Sequence, residues 1–203
     1  SGSSGHAASV SSPAYRSVTP AATTTTLSLS PNPSTFGQAG TITATVEASQ
    51  ITPVGTVVFT VDGVAYAPVS LVSGKASIAM PPLGVGTHAV LATYHPTSNF
   101  TGSNTSASQQ VDQAATTVQI TGPGAVVYGQ QATFGATVTS AGGTPTGTVT
   151  FKIDGVAQTP VPVVGGAASF TALNLSGGGH VVEAHYGGST NFKSGDGVLS
   201  GGQ

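Results

Sequence analysis

The side chains that could perform catalysis or bind a metal are few in this sequence. They are six acids and five histidines among 203 residues: Glu47, Asp62, Asp112, Asp154, Glu183, Asp196, His6, His88, His95, His180 and His185. Catalysis requires such groups to converge, and a thiolate is excluded because the chain has no cysteine. No Gly-x-Ser-x-Gly segment is present either. We therefore predict no enzyme activity, no catalytic residue, no cofactor-binding residue and no metal site.

Two of the acids are interpreted as turn residues. Asp62 and Asp154 are each followed by Gly and lie between apolar alternating segments, which is a strong hairpin signal. A short Asp side chain can hydrogen-bond its own backbone in such a turn, so we do not read the two as paired general acids. His88 and His180 each follow a Gly-rich turn. Their recurrence indicates a constraint of the fold, such as a ring nitrogen bonded to a neighbouring loop carbonyl.

Two other groups are weak candidates for a metal site. Glu183 and His185 lie two residues apart on a predicted strand and therefore share one face, where they could pair or bind a metal. The corresponding residues of the first half are uncharged, so we interpret them as a solvated pair. Asp112 lies in a predicted linker, Gln110–Thr116, where calcium could stiffen a domain junction. Calcium prefers six to eight oxygen ligands, and one carboxylate supplies too few.

Composition excludes several classes of partner. The chain has four Lys and Arg and a net charge of −2, so it can neither neutralise a row of phosphates nor hold an acidic membrane surface. No apolar stretch approaches the roughly 20 residues of a membrane-spanning helix. Glycan binding by β-sandwiches favours exposed aromatic platforms, but Trp is absent and only Tyr15 and Tyr66 fall outside the predicted core. A glycan or protein ligand is therefore not identified.

Three asparagines match the Asn-x-Ser/Thr acceptor pattern of N-glycosylation: Asn99, Asn104 and Asn174. Chance matches are expected in a chain so rich in Ser and Thr. We treat these matches as incidental, and the sequence does not decide whether any of them is glycosylated.

The sequence contains one unit twice. The segment Pro53–Ala65 (PVGTVVFTVDGVA) returns as Pro145–Ala157 (PTGTVTFKIDGVA), an offset of 92 residues. The same offset holds without a gap from Gly37 to Phe192. It exceeds the roughly 20 to 50 residues of a solenoid repeat and fits one small domain. We predict three parts: an N-terminal extended segment (residues 1–22), a first domain (23–112) and a second domain (113–203).

Each copy shows the alternation of a β-rich fold. Apolar residues alternate with Thr in Thr41–Val46, the pattern of a strand with one buried face. Further strands begin with Thr24–Ser30, giving about seven strands per copy, and no stretch has helical periodicity. We therefore predict an all-β protein with two tandem immunoglobulin-like β-sandwich domains. An open or closed β-barrel is the alternative.

The strand phase also predicts which side chains are buried. The inward positions are Phe59, Val90, Ala92 and Tyr94 in the first copy, and Phe151, Val182, Ala184 and Tyr186 in the second. The halves 37–111 and 129–203 are expected to superpose with the same strand order.

Two segments of each copy carry a family resemblance. They are GTVVFTVDGVA and GTHAVLATYHPTSNF in the first copy, and GTVTFKIDGVA and GGHVVEAHYGGSTNF in the second. These segments resemble the bacterial Ig-like domain repeat of secreted and surface proteins, and the resemblance extends from about residue 23 onward. It implies a non-catalytic extracellular spacer or adhesion module located outside the cell or on its surface. The implied partners are other domains of a larger surface protein or copies of the chain itself.

Two other functions stay open at this level. The segment from His6 to Ala22 carries Val10, Tyr15 and Val18 and could add a strand to the sheet edge of a neighbouring subunit, which would make the chain a filament subunit. Alternatively, the chain could be a carbohydrate- or protein-binding module appended to a secreted enzyme. We favour the rod-like tandem spacer.

Overall fold

The computed structural model describes Gly5 and residues 14–199, and this part of the chain forms strands without any helix. The strands of the first half are β1 (Thr24–Ser30), β2 (Ser34–Thr35), β3 (Thr41–Glu47), β4 (Thr56–Val61), β5 (Val64–Ala65), β6 (Val69–Ser70), β7 (Lys75–Ala79), β8 (Gly86–Tyr94) and β9 (Ser103–Asp112). Those of the second half are β10 (Thr117–Thr121), β11 (Ala132–Thr139), β12 (Gly147–Ile153), β13 (Val156–Ala157), β14 (Val161–Val163), β15 (Ala167–Ala172), β16 (Val182–Tyr186) and β17 (Gly195–Val198). Among these residues, no helix has the length and hydrophobicity needed to cross a membrane.

The first domain, β1–β9, is a sandwich of two sheets. One sheet has the order β1-β3-β7, and the other has the order β2-β9-β8-β4-β5 with β6 also paired to β4. All of these pairs are antiparallel except β2 with β9. Strand β3 shows why the sheets face each other: Ile42, Ala44 and Val46 are buried, while the Thr residues between them are not.

The second domain, β10–β17, repeats this arrangement. Its sheets have the orders β10-β11-β15 and β13-β12-β16-β17, with β14 paired to β12. The separate sheets of each domain confirm the predicted all-β, immunoglobulin-like sandwich over the barrel alternative. The boundaries at residues 22 and 112 stay predictions, and residues 1–4, 6–13 and 200–203 lie outside the described part, including His6 and Val10.

One edge of the first domain carries the short strand β2, in which Ser34 is buried and accepts a 3.1 Å hydrogen bond from Nε2 of the buried Gln109. Strand β2 pairs with Val111 and Asp112 at the end of β9. In the second domain Val126 and Val127 form no strand among the described residues, and Gln203, which corresponds to Val111, lies outside them. The other strands have the same order in the two domains, as predicted.

The core positions follow the predicted phase. Phe59, Val90, Ala92 and Tyr94 are at most 1% exposed, and their counterparts Phe151, Val182, Ala184 and Tyr186 are at most 2% exposed. Burial of each large apolar side chain contributes about 1.5 to 3 kcal/mol before chain entropy is subtracted. The predicted burial of these eight side chains is thus confirmed in both copies.

Each buried tyrosine also has a polar anchor. The Tyr94 hydroxyl donates a 2.6 Å hydrogen bond to the Val54 carbonyl, and the Tyr186 hydroxyl donates to the Thr146 carbonyl. The anchor satisfies the only polar atom of a ring that is otherwise surrounded by apolar side chains. It fixes the loop before β4 or β12 to the sandwich.

Candidate functional site

The first candidate group is a clamp formed by Asp62 and His88. Asp62 and Gly63 have φ values of 48° and 82°, which place both residues in the left-handed region of a tight hairpin turn between β4 and β5. Oδ2 of Asp62 lies 2.7 Å from Nδ1 of His88, and Oδ1 accepts a 2.9 Å bond from the Ala89 amide. Nε2 of His88 lies 2.9 Å from the Gly84 carbonyl oxygen. The imidazole therefore ties the hairpin turn to the loop before β8.

The second domain builds the same clamp 92 residues later. Oδ2 of Asp154 lies 2.6 Å from Nδ1 of His180, and Oδ1 accepts a 2.9 Å bond from the Val181 amide. Nε2 of His180 lies 2.9 Å from the Ser176 carbonyl oxygen. A contact repeated atom for atom in both copies belongs to the fold rather than to one specialised site.

Both ring nitrogens of each clamp face an acceptor. A neutral imidazole has one N–H, so it can donate only one of the two bonds, whereas the imidazolium donates both. The hydrogen bond to Asp62 accordingly raises the pKa of His88, and the same bond lowers the pKa of Asp62. In the second domain the Ser176 carbonyl, followed by Asp154, raises the pKa of His180, and His180 lowers the pKa of Asp154.

The clamp corrects one interpretation and supports another. We expected each Asp side chain to bond its own turn, but it bonds a histidine 26 residues away and the amide that follows this histidine. The expected bond from the histidine ring to a loop carbonyl is present in both copies. The sequence signal for the pair was the spacing of 26 residues between Asp and His, which is the same in the two copies.

The expected pair of Glu183 and His185 does not form. Nδ1 of His185 instead lies 2.6 Å from Oδ1 of Asp196, its cross-strand partner on β17. The side chains of His185 and Asp196 are 45% and 77% exposed, so the pair is solvated. Glu47 and His95 are exposed, at the last residue of β3 and just after β8. Nowhere in the described ranges do three His, Asp or Glu side chains gather as a metal would require.

The predicted linker Gln110–Thr116 is largely structured. Strand β9 continues to Asp112, whose carbonyl accepts a 2.8 Å bond from the Phe36 amide. Ala114 then pairs with the second domain, because its amide donates to the Asn191 carbonyl and its carbonyl accepts from the Lys193 amide. A single residue, Gln113, thus separates the two anchored positions, and Asp112 belongs to no cluster of three or more metal-ligating side chains in the described residues.

The junction between the domains is closed by aromatic side chains. The Phe36 ring of the first domain meets the Phe192 ring of the second edge to face, with centroids 5.5 Å apart. Phe36 is half-buried and packs on the core of the second domain, to which the buried Phe192 and Ala114 belong. The Val85 amide also donates a 3.3 Å bond across the junction to Oδ1 of Asn191.

Glycine permits the close approach of the two backbones. A β-carbon on Gly142 would lie 2.5 Å from the Phe36 carbonyl oxygen and 2.7 Å from Cβ of Ala114. One on Gly37 would lie 2.7 Å from Cα of Gly142. Sequence reasoning missed Phe36, Gly142 and Phe192 as a group. The sequence signal was the glycine pair Gly142–Gly143, which replaces Gln50 and Ile51 of the first copy.

Of the two tyrosines predicted to lie outside the core, one is half-buried and one is exposed. Tyr66 is half-buried against the core of the first domain, which corrects the expectation that it lies outside the core. Tyr15 is 93% exposed and Val18 is 92% exposed. Ala21 is held by its own domain, because its amide donates to the Asn99 carbonyl and its carbonyl accepts from the Thr101 amide.

Comparison with known proteins identifies the repeated unit. The family model described as bacterial Ig-like domain (group 3) matches twice, at residues 27–112 and 118–198. No curated protein matches the chain significantly.

Three solved structures are among those similar to the chain. The fibronectin(III)-like modules of Clostridium thermocellum CbhA are 19% identical, with 86% of this chain and 92% of that chain covered and a TM-score of 0.36. A tetra-tandem repeat in the extending region of a large adhesion protein is 18% identical, with 89% and 50% covered and a TM-score of 0.46. The Yersinia pseudotuberculosis adhesin InvE is 16% identical, with 86% and 58% covered and a TM-score of 0.39. On the strength of the two family matches, the chain belongs to the bacterial Ig-like domain (group 3) family and carries two tandem copies of that domain.

Proposed function

We propose that this chain is a rod-like tandem spacer of a bacterial secreted or cell-surface protein, with other domains of that protein as its partners. Domains of this family are in general non-catalytic structural or adhesive modules outside the cell, and membership supports that role here. The step from module to spacer rests on how the two domains are joined.

The observation that carries the proposal is the junction. Strand β9 of the first domain ends at Asp112, and two residues later Ala114 is bonded to both Asn191 and Lys193 of the second domain. The edge-to-face contact of Phe36 with Phe192 closes the same junction from the side. A joint with so little free backbone and a packed aromatic pair restricts the angle between the domains. Restricted angles are what a spacer needs in order to hold a distance.

The composition is consistent with exposure outside a cell. Four Lys and Arg in 203 residues leave few cleavage sites for proteases that cut after basic residues. Secondary structure protects the backbone further, because strand residues are paired on both sides except at the sheet edges.

The contacts of the N-terminal segment favour the spacer over the filament. Ala21 pairs with Phe100, and the Thr23 hydroxyl donates a 2.8 Å bond to the Thr101 carbonyl, all within the first domain. Because the segment is bonded to its own domain from Ala21 onward, only the residues before Ala21 could be donated as a strand to another subunit. Pro13 and Pro20 interrupt the ladder that those residues could form.

The test compares the full chain with a chain that begins at Thr19, which keeps the contacts of Ala21. Small-angle X-ray scattering and electron microscopy are expected to give the same elongated monomer for both. Polymers formed by the full chain and lost in the shortened chain would overturn the spacer and establish strand donation. A compact particle, with the domains folded against each other, would also contradict the proposal.

A further inference from the structure

The turn by which the first domain contacts the second is repeated at the far end of the second domain. In the first copy the Gln38 amide donates a 2.9 Å bond to the Thr35 carbonyl, with Phe36 and Gly37 at the tip of the turn. In the second copy the Gln130 amide donates a 3.0 Å bond to the Val127 carbonyl, with Tyr128 and Gly129 at the tip. The φ values of Gly37 and Gly129 are 78° and 86°, so the two turns have the same conformation.

The two tips differ in what covers them. Phe36 packs on the core of the second domain, and a β-carbon on Gly37 would run into the backbone of Gly142. Tyr128 is 78% exposed, and nothing in the described part of the chain lies within 4 Å of a β-carbon built on Gly129. The second domain therefore presents the same aromatic–glycine tip in an uncovered state.

The surface around Tyr128 combines exposed apolar side chains with a groove. Val127, next to it, is 70% exposed. A groove with a volume of about 180 Å³ runs beside the turn, between Val126 and the loop that contains Leu175 and Gly177. Gly177 corresponds in the repeat to Val85, whose amide bonds Asn191 across the existing junction. The turn and the loop by which the first domain contacts its neighbour thus both have counterparts here.

The existing junction also shows which residues a domain needs in order to dock on such a surface. The second domain enters it with the buried Phe192, with Oδ1 of Asn191 and with the Gly142–Gly143 loop. Gly142 leaves no room for a side chain, and Gly143 has a φ of 125°, which residues with a β-carbon rarely adopt. The loop of an occupant must carry glycine at both positions.

The first domain of this chain does not meet that requirement. It has Asn99 and Phe100 at the positions of Asn191 and Phe192, but Gln50 and Ile51 replace the two glycines. A β-branched Ile is strained at the φ of Gly143, so the loop cannot copy the shape that fits the tip. A second copy of this chain is thereby disfavoured as the occupant.

We propose that the Tyr128–Gly129 tip and the adjoining groove form a docking surface for a further Ig-like domain that carries a Gly-Gly loop and an Asn-Phe pair at its entering end. This inference rests on the proposed spacer function, and it adds the end of the chain from which the array of domains continues. The array extends from the second domain by the contact that already joins the two domains, with Tyr128 in the place of Phe36.

The test extends the chain by its own period. Gln203 corresponds to Val111 in the repeat, so the probe is the 203-residue chain followed by one Asp and a second copy of residues 113–203. Amide hydrogen exchange of Gly177, the counterpart of the Val85 amide that bonds across the existing junction, is expected to slow by about tenfold or more relative to the 203-residue chain. The matched control carries Gln and Ile at the two glycines of the added copy, which is the natural sequence of the first domain, and is expected to lose this protection.

A second variant is needed because the Gln and Ile substitutions could unfold the added domain of the control. Tyr128→Ser leaves the added domain unchanged and is expected to abolish the protection of the Gly177 amide, while the added domain keeps its own dispersed NMR spectrum. Equal exchange rates in the 203-residue chain, the extended chain and the control would overturn the proposal. Self-association of the 203-residue chain through Tyr128 would also overturn it, because the occupant would then be a second copy. The angle between the two existing domains, measured in the same samples, separates this failure from a failure of the spacer function.

Discussion

The carboxylate of Asp62 lies 2.7 Å from Nδ1 of His88, and the opposite ring nitrogen lies 2.9 Å from the carbonyl oxygen of Gly84. The residue after Gly84 is Val85, whose amide donates to Asn191 of the second domain. The clamp therefore positions the loop that takes part in the junction. A local ion pair at a hairpin turn is connected by one loop to the contact that orients the domains.

The clamps make stability depend on pH. The pKa of each clamp histidine is raised in the fold, so its contribution is fully present below the unfolded value near 6.5 and is lost as pH rises through the folded value. The pKa of each clamp Asp is lowered, so its contribution is present above about 3.8 and is lost as pH falls through the folded value. We expect the greatest clamp contribution between these two ranges.

Thermal unfolding of a double variant checks this dependence. His88→Gln with His180→Gln is expected to remove most of the fall in melting temperature between about pH 6 and about pH 9. His95→Gln, at an exposed position, is the control and is expected to keep the profile of the unchanged chain. An unchanged profile in the double variant would show that the ring does not hold both protons.

Substitution of Asp62 separates its charge from its turn. Asp62→Asn is expected to keep the turn, because Asn tolerates a φ of 48° and its oxygen can accept from the Ala89 amide, but to lose the pH dependence of the first domain. Asp62→Ala is expected to destabilise by a further amount of about 1 kcal/mol, because Ala is strained in the left-handed region. Chemical denaturation measures both. Equal stabilities of Asn and Ala variants would contradict the role of the turn.

The tyrosine anchors predict matched losses in the two domains. Tyr94→Phe and Tyr186→Phe each remove a hydroxyl bonded to a loop carbonyl and are expected to lower the free energy of unfolding by about 1 kcal/mol. Tyr66→Phe, at a half-buried ring, is the control and is expected to have a smaller effect. Denaturant unfolding provides the measurement. A loss at Tyr66 as large as at Tyr94 would show that the carbonyl bond contributes little.

Period and alternation were sufficient to predict most of the fold. The strand phase around Phe59 and Tyr94 follows from a period of two, and the offset of 92 residues transfers it to Phe151 and Tyr186. Strand β2 was not predictable in this way, because it is two residues long and is defined by its pairing with the distant end of β9. Such a contact has no periodic signature.

The candidate site was less predictable because it consists of contacts between distant residues. Asp62 and His88 were each recognised as recurrent, but only the pairing of β4 with β8 brings the turn and the loop together. The same holds for Phe36 and Phe192, which are 156 positions apart in the printed sequence. Sequence spacing does not report the angle at which two domains meet.

The orientation of the domains is measured most directly by amide residual dipolar couplings in a weakly aligned sample. We predict that one alignment tensor fits the couplings of both domains in the unchanged chain, because the junction holds them as one body. In Gly142→Gln, whose side chain would displace Phe36 and Ala114, we predict two tensors of different magnitude. Two unrelated tensors in the unchanged chain would show that the junction is not stiff.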